Sequence, residues 1–246
     1  MNPAGLDPAI LLPALAAGLL ILATHVPLGM AVLRRGIVFL DLAIAQIAGL
    51  GVVIAHTLAE GAAPTWLIEA AAVGAALLGA LFLRWTEGRA PARQEAVIGV
   101  TFVGAASAAL ILMSHDPHGA EQLQDMLVGQ ILWTNWADLG PLALVTVAVL
   151  ATWAWPGLRD SALAFYLLFA LAITASVQVA GVYLVFASLI VPALSAGARL
   201  WRGYLAGVAG YAAGLAASGL FDWPAGAAVV LALILVASLN AGIRRG

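Results

Sequence analysis

Long apolar stretches separated by short polar turns run along the whole chain. A hydrocarbon layer about 30 Å thick needs about 20 apolar residues per helix. The pattern therefore predicts about nine membrane-spanning helices, with eight and ten as the limits of the count. The period-2 alternation typical of strands is missing, so the predicted fold class is an all-α integral membrane bundle. The predicted spans are residues 10–33, 37–58, 66–83, 95–113, 139–156, 162–178, 180–197, 203–220 and 224–241.

The longest uncharged stretch covers residues 162–198. As one helix it would be about 55 Å long at 1.5 Å per residue, which is much too long for one crossing. We therefore predict two spans here, with a break near residues 178–181.

Small residues recur at helical spacing in the eighth predicted span. They form one smooth face, which allows close approach of a neighbouring helix where lipid gives no hydrophobic drive for association. We interpret this face as a packing surface. Its members are Gly203, Gly207, Gly210, Gly214 and Ser218.

Composition supports the membrane assignment. Hydrophobic residues make up 64% of the 246 positions and charged residues 9%, so lipid must solvate much of the surface. We expect one transmembrane permease domain over residues 1–246, without a soluble domain. Cysteine is absent, which excludes disulfides and thiolate metal sites. No basic residue precedes the first apolar run, so we expect that run to be the first span rather than a cleavable signal.

The basic residues predict the orientation of the chain. All ten are arginines, and nine crossings place all ten on one side of the membrane, which the positive-inside rule assigns to the cytoplasm. The N-terminus is then outside and the C-terminus is cytoplasmic. Tryptophans fall near both predicted boundaries, as aromatic belts do. They are Trp66, Trp133, Trp136 and Trp223 at the outer boundary, and Trp85, Trp155 and Trp201 at the inner one.

Three ordered segments resemble the zinc/manganese-type ABC transporter permease family. The first is LGMAVLRRGIVFLDLAIAQIAGLG at 28–51, with a double basic turn and an embedded aspartate. The second is EAVIGVTFVGAASAALILMS at 95–114, followed by LVGQILW at 127–133. The third is VAGVYLVFASLIVPALSA at 179–196. Together they cover most of the chain from residue 28 to residue 198.

The resemblance implies the membrane subunit of an ATP-driven importer of divalent metal ions in the cell inner (plasma) membrane. It implies a homodimer, a separate ATP-binding subunit on the cytoplasmic face and an extracytoplasmic metal-binding protein. Transported Zn²⁺ or Mn²⁺ is the expected substrate, with zinc preferred because histidines lie in the outer half and iron as a further option. No permanently bound cofactor and no nucleic-acid partner are expected.

The chain departs from the family pattern at three places. Asp41 is followed by Ala45 and Gln46 where many members have a histidine four residues on. Gln130 stands at a position that is acidic in the family, and the segment thought to meet the ATPase is reduced to residues 157–161. The candidate docking loops for the ATP-binding subunit are 84–95, 157–161 and 198–202, and the sequence does not choose among them.

Asp41 lies about six residues, or roughly 9 Å, inside the cytoplasmic end of the second span. An ionised carboxylate facing lipid at the membrane centre costs about 2.5–3.5 kcal/mol, so Asp41 should face the bundle interior. It is either a carboxylate on the permeation path or a structural acid paired with Arg34 or Arg35. Gln46 offers a neutral oxygen to the path, or hydrogen-bonds a neighbouring helix.

Four further residues are candidates for the metal path. His25, close to Pro27 in the first span, is either a ligand or a hydrogen-bonded packing residue. Glu69 is either an outer gate acid or a side chain that reaches water at the interface. His115 and His118 lie in an outer loop and supply imidazole, which suits Zn²⁺ and tolerates Mn²⁺; a solvated loop is the alternative.

No sequence signature of a Walker loop, a zinc protease or a nucleophile elbow is present, so we expect a transport subunit rather than an enzyme. The alternative function is a secondary transporter of a small solute or cation that runs on an ion gradient. A third class, an intramembrane enzyme, is disfavoured because Asp41 and His25 lie in different spans, toward opposite ends.

Overall fold

The computed structural model describes residues 7–59, 64–113, 127–197 and 199–243. Short 3₁₀ turns at Pro91–Arg93 and Ile131–Trp133 accompany the α-helices. The helices are α1 (Pro8–Arg35), α2 (Leu40–Leu58), α3 (Thr65–Arg89), α4 (Gln94–Met113), α5 (Leu139–Trp153), α6 (Pro156–Arg159), α7 (Ala162–Ala196), α8 (Leu200–Phe221) and α9 (Ala225–Ile243).

The all-α membrane fold predicted from the apolar pattern is confirmed. Six of the described helices are long and apolar enough to cross a membrane, and α5 and α9 are shorter apolar helices. When residues 162–180 and 182–196 of α7 are counted separately, nine helices of 15 or more residues are present in the described ranges, and each overlaps one predicted span.

The predicted break in the long uncharged stretch falls inside α7. Gly181 has φ 75° and ψ 163°, a conformation that interrupts the helix. Only glycine adopts such a conformation without steric cost, because it has no Cβ. The break lies within the predicted range 178–181.

Two of the differences between helix ends and predicted spans have a clear physical reason. The third predicted span stops at residue 83, but α3 continues through its charged last turns to Arg89, and Pro91 follows it. Arginine side chains can reach the membrane surface from such a turn, so the helix can extend beyond its apolar stretch. The fifth predicted span ends at residue 156, but α5 ends at Trp153, and a new turn starts at Pro156 because proline cannot continue a helix.

The chain divides into two compact units. The first unit contains residues 1–35, 127–150 and 175–246. The second unit contains residues 36–126 and 151–174. α1, α8 and α9 therefore belong to the first unit, and α2, α3 and α4 belong to the second.

Helices α2, α3 and α4 alternate in direction within the second unit. A Cβ at Gly51 would meet Ala71 and Ala75, and one at Gly79 would meet Ile47, so α2 and α3 run antiparallel. Helices α2 and α4 run parallel. The Phe39 N–H donates to Glu95 Oε1 over 3.3 Å, and Val53 clusters with Ala109, so both contacts join residues 56 positions apart. This alternation is the one that three successive membrane crossings require.

The small-residue face of α8 packs against two neighbours in the first unit. Gly203 and Gly207 approach Val26 and Leu22 of α1. Towards the other end, Gly210 and Gly214 approach Leu233 and Val229 of α9. The predicted packing surface therefore exists, and it is divided between α1 and α9. α8 runs antiparallel to both.

Proline in α1 leaves a backbone carbonyl without its helical donor. Pro27 has no N–H for the carbonyl of Ala23, one turn earlier. The hydroxyl of Tyr204 on α8 donates to that carbonyl over 3.0 Å. The Ala23 carbonyl is thus hydrogen-bonded by a neighbouring helix. In a membrane such a carbonyl is either bonded in this way or lines a cavity.

Candidate functional site

Asp41 occupies the first turn of α2 and is 1% exposed. Its Oδ1 atom is buried and has no hydrogen-bond partner among the described residues. The N-terminus of a helix is a favourable place for negative charge because unpaired amides and the helix dipole point toward it. A buried carboxylate oxygen without a donor is nevertheless costly, and a bound cation would remove that cost.

Glu95 lies beside the start of α2 and was not among the candidates from sequence. Its Oε1 accepts the backbone N–H of Phe39, two residues before Asp41, and its Oε2 is buried without a partner among the described residues. The only sequence signal was its place as the acid that opens the segment 95–114. The parallel packing of α2 and α4 places Glu95 near the end of α2 that carries Asp41. No sequence pattern predicts that packing.

Ala45, rather than Gln46, shares the Asp41 face of α2. Residues four apart lie on one face of a helix, whereas residues five apart lie about 140° from each other. Both Ala45 and Gln46 are buried. The histidine that many family members carry four residues after the aspartate would thus point in the same direction as Asp41, and alanine supplies no ligand there.

His25 is fully buried in α1, in the first unit. Its Nδ1 donates to the carbonyl of Ile21 over 2.9 Å and lies 3.0 Å from the hydroxyl of Thr24. Nε2 has no partner among the described residues. When the ring is neutral, the proton on Nδ1 leaves a free lone pair on Nε2, and a backbone carbonyl commonly orients metal-binding histidines in this way.

Glu69 lies apart from Asp41 in the second unit. It is exposed near the start of α3. The antiparallel register of α2 and α3 places Asp41 near the end of α3, roughly 20 Å along the axis from Glu69 at 1.5 Å per residue. Its exposure favours a carboxylate at the interface over a gate acid.

The two loop histidines, His115 and His118, lie outside the described residues. Within the described ranges, no three His, Cys, Asp or Glu residues come together as a metal site.

A short segment crosses the break in α7 within the first unit. A Cβ at Gly129 would collide with the backbone of Ala180, and one at Gly181 would collide with the backbone of Gly129. Both glycines have positive φ, 68° and 75°. The two backbones touch where the helix is interrupted, and irregular backbone at membrane depth is tolerated only inside protein or beside a cavity.

A buried polar network joins α3, α4 and the first part of α7 in the second unit. The Gln94 amide donates to the Leu83 carbonyl over 2.8 Å and lies 3.3 Å from the Tyr166 hydroxyl. The Thr86 hydroxyl lies 3.1 Å from Gln94 Oε1. These bonds hold the α3–α4 turn at the arginine-bearing end of the two helices.

The described part of the chain consists of apolar helices, six of them long enough to cross a membrane, with a few polar side chains buried among them. A model of the ABC 3 transport family matches residues 7–157 and 154–241, which is nearly the whole chain. The chain therefore belongs to the ABC 3 transport family, and the metal-type ABC permease family predicted from the three segments is confirmed.

Two solved structures share the fold. The structure of PsaBC from Streptococcus pneumoniae in complex with Fab is 22% identical, with a TM-score of 0.70 over 94% of this chain and 89% of that chain. A metal-chelate type ABC transporter in an inward-facing conformation is 14% identical, with a TM-score of 0.53 over 93% of this chain and 74% of that chain. No curated protein matches the sequence.

The family membership decides between the function classes that the sequence left open. The chain is a membrane-spanning permease subunit of an ABC transporter. An ion-gradient-driven transporter and an intramembrane enzyme are both disfavoured by this membership.

Proposed function

We propose that this chain is the permease of an ATP-driven importer of divalent metal ions, with Asp41 as a carboxylate on the permeation path. The observation that carries the proposal is the buried Asp41 carboxylate, whose Oδ1 has no donor among the described residues. A divalent cation is the partner whose charge best compensates such a group, because oxygen ligands suit hard cations.

Zn²⁺ is the preferred substrate in this proposal, with Mn²⁺ and iron as alternatives. Its support is the imidazole of His25, whose Nε2 keeps a free lone pair when the ring is neutral. Imidazole nitrogen is a better ligand for Zn²⁺ than for the harder cations. The absence of a side-chain ligand at Ala45 favours weak, transient binding over a closed site.

The energy source in this proposal is a separate ATP-binding subunit, and a substrate-binding protein delivers the metal from outside. ABC permeases work with such partners, and this chain carries no Walker sequence of its own. Two copies of the permease would form the transport unit in the inner membrane. The docking segment would be one or more of the loops at 84–95, 157–161 and 198–202; the second of these overlaps α6 at Pro156–Arg159, a single helical turn.

The substitution Asp41→Asn tests the proposal. Asparagine keeps the shape of the side chain and removes its charge, so we expect ATP-dependent uptake of ⁶⁵Zn²⁺ to fall about tenfold or more, the loss expected for one charge-assisted contact. The amount of folded protein and its melting temperature should stay at the wild-type level.

The two readings of Asp41 give different results in this experiment. A structural acid paired with Arg34 or Arg35 would lower the melting temperature on substitution, because an arginine would lose its counter-charge. Uptake that stays at the wild-type level in a folded Asp41→Asn variant would remove Asp41 from the path. Glu69→Gln is the matched acid-to-amide comparison, and its exposure predicts a smaller effect.

A further inference from the structure

An open surface pocket of about 640 Å³ lies at the end of α3 in the second unit. Its lining combines two guanidinium groups, an indole ring and two leucines. Four of the lining positions, 81, 84, 85 and 88, have the i, i+3, i+4, i+7 spacing of one helix face. The lining residues are Leu81, Arg84, Trp85, Gly88, Arg89 and Leu163.

The two arginines are held in place by specific contacts. The guanidinium of Arg89 lies 3.9 Å from the centroid of the Trp85 ring, a cation–π geometry. Arg84 Nη1 lies 3.6 Å from Glu87 Oε2, and Gly88 leaves the space beside that guanidinium free of a side chain. One pocket thus presents two positive charges, of which one is partly balanced.

An exposed apolar stripe runs from the pocket along α3. Its residues are separated by three or four positions, so they lie on one helix face, and the stripe ends at the indole of Trp85. Trp85 stacks on Phe82 with ring centroids 6.2 Å apart. The stripe contains Leu78, Leu81, Phe82 and Trp85, all of them exposed.

We propose that this pocket binds the headgroup of an anionic phospholipid, with the phosphate between Arg84 and Arg89 and an acyl chain along the α3 stripe. From the end of α3 inward, the two arginines flank the Trp85 indole, and the exposed apolar side chains of Phe82, Leu81 and Leu78 follow, which matches a phospholipid's charged headgroup and apolar chain. Tryptophan favours the boundary between headgroups and acyl chains, and basic pockets between membrane helices bind anionic headgroups.

A soluble protein partner fits this surface less well. The pocket overlaps segment 84–95, one of the three candidate docking segments for the ATP-binding subunit. That subunit would need a water-exposed polar surface, whereas the pocket continues into the exposed apolar side chains of Leu78, Leu81 and Phe82. Lipid at this pocket leaves residues 157–161 and 198–202 for docking. The proposal does not depend on which ion the chain transports, or on the side of the membrane at which α3 ends.

Lipid binding to the purified full-length chain tests the proposal. The delipidated protein in detergent is titrated with phosphatidylglycerol or with zwitterionic phosphatidylcholine, and bound lipids are counted by native mass spectrometry. We expect wild type to prefer phosphatidylglycerol. Arg84→Gln and Arg89→Gln should each lower that preference about fivefold, because one arginine near an anionic surface contributes about that factor.

Three further arms complete the design. Arg93→Gln removes an exposed arginine of the following turn that does not line the pocket, and it should keep the preference. The double Lys variant, Arg84→Lys with Arg89→Lys, should retain most of the preference while showing that the fold tolerates change here. Glycerol phosphate, which has the anion but no acyl chain, should displace bound phosphatidylglycerol poorly.

Two outcomes would overturn the proposal. The first is a full preference for phosphatidylglycerol in the double variant Arg84→Gln with Arg89→Gln. If that variant also loses a co-expressed ATP-binding subunit on purification, the pocket is a protein docking surface. Displacement by glycerol phosphate at concentrations similar to those of the lipid would identify a general anion site instead.

Discussion

At the scale of single residues, the chain keeps buried polar atoms that its own described residues do not satisfy. Asp41 Oδ1 in the second unit and His25 Nε2 in the first unit are two such atoms, and Glu95 Oε2 is a third. Buried polar groups in proteins are normally paired, so each such atom calls for a ligand or another explanation. An importer supplies one explanation, because its cation is present only while it passes.

At Gly181 both the backbone conformation and the packing exclude a side chain. Gly181→Ala places a Cβ at positive φ and drives it into the backbone of Gly129, so we expect a loss of about 1–3 kcal/mol or more in stability. The melting temperature of the purified protein in detergent measures the loss. Gly140→Ala in α5 is the matched control, since a Cβ there meets nothing within 4 Å; an equal drop in both variants would contradict this account of the break.

At the scale of elements, the small-residue face of α8 meets two different kinds of surface. Opposite Gly207 the nearest atoms are Leu22 Cδ2 and Cδ1, the flexible end of a side chain. Opposite Gly214 the nearest atoms are the backbone Cα and N of Val229. A side chain can rotate away from an added methyl group, but a helix backbone must move as a whole.

This difference predicts unequal effects for the same substitution. Gly214→Ala should lower the melting temperature clearly more than Gly207→Ala, because α9 must shift away from α8. Thermal unfolding of the two variants side by side in one detergent measures the difference. Equal effects, or a larger effect at Gly207, would show that the spacing between α8 and α9 adjusts more easily than the contacts suggest.

The sequence was sufficient to predict the elements but not all of their contacts. Apolar length gave the helices, and a helix too long for one crossing gave the break that falls at Gly181. Asp41 and His25 were recognisable because polar residues are rare in such spans. Glu95 was missed, since its bond to Phe39 depends on the register between α2 and α4, and register is set by packing between elements 56 residues apart rather than by local pattern.

At the scale of the whole molecule, directions within each unit agree with alternate membrane crossings. α2, α3 and α4 alternate in the second unit, and α1, α8 and α9 alternate in the first. These directions do not say which side of the membrane each helix end faces. The arginine distribution predicts that side. The absence of cysteine makes that prediction directly accessible to labelling.

The two ends of α3 give the cleanest topology experiment. Ala92→Cys lies in the exposed turn after α3, and Thr65→Cys lies at its exposed first residue. In right-side-out membranes, a membrane-impermeant maleimide should label Thr65→Cys and should leave Ala92→Cys unlabelled until the membrane is opened. The reverse pattern would place the arginines outside and remove the proposed docking face for the ATP-binding subunit.

ATP-dependent uptake in proteoliposomes tests the central claim most directly. The permease is reconstituted into vesicles with its ATP-binding subunit inside and the metal-binding protein outside. Entry of ⁶⁵Zn²⁺ is then followed either with ATP enclosed in the vesicles or with an imposed proton gradient. If the chain is the permease of an ATP-driven metal importer, uptake requires ATP, is competed by Mn²⁺ and falls about tenfold or more in Asp41→Asn. Uptake that follows the proton gradient and ignores ATP would contradict it.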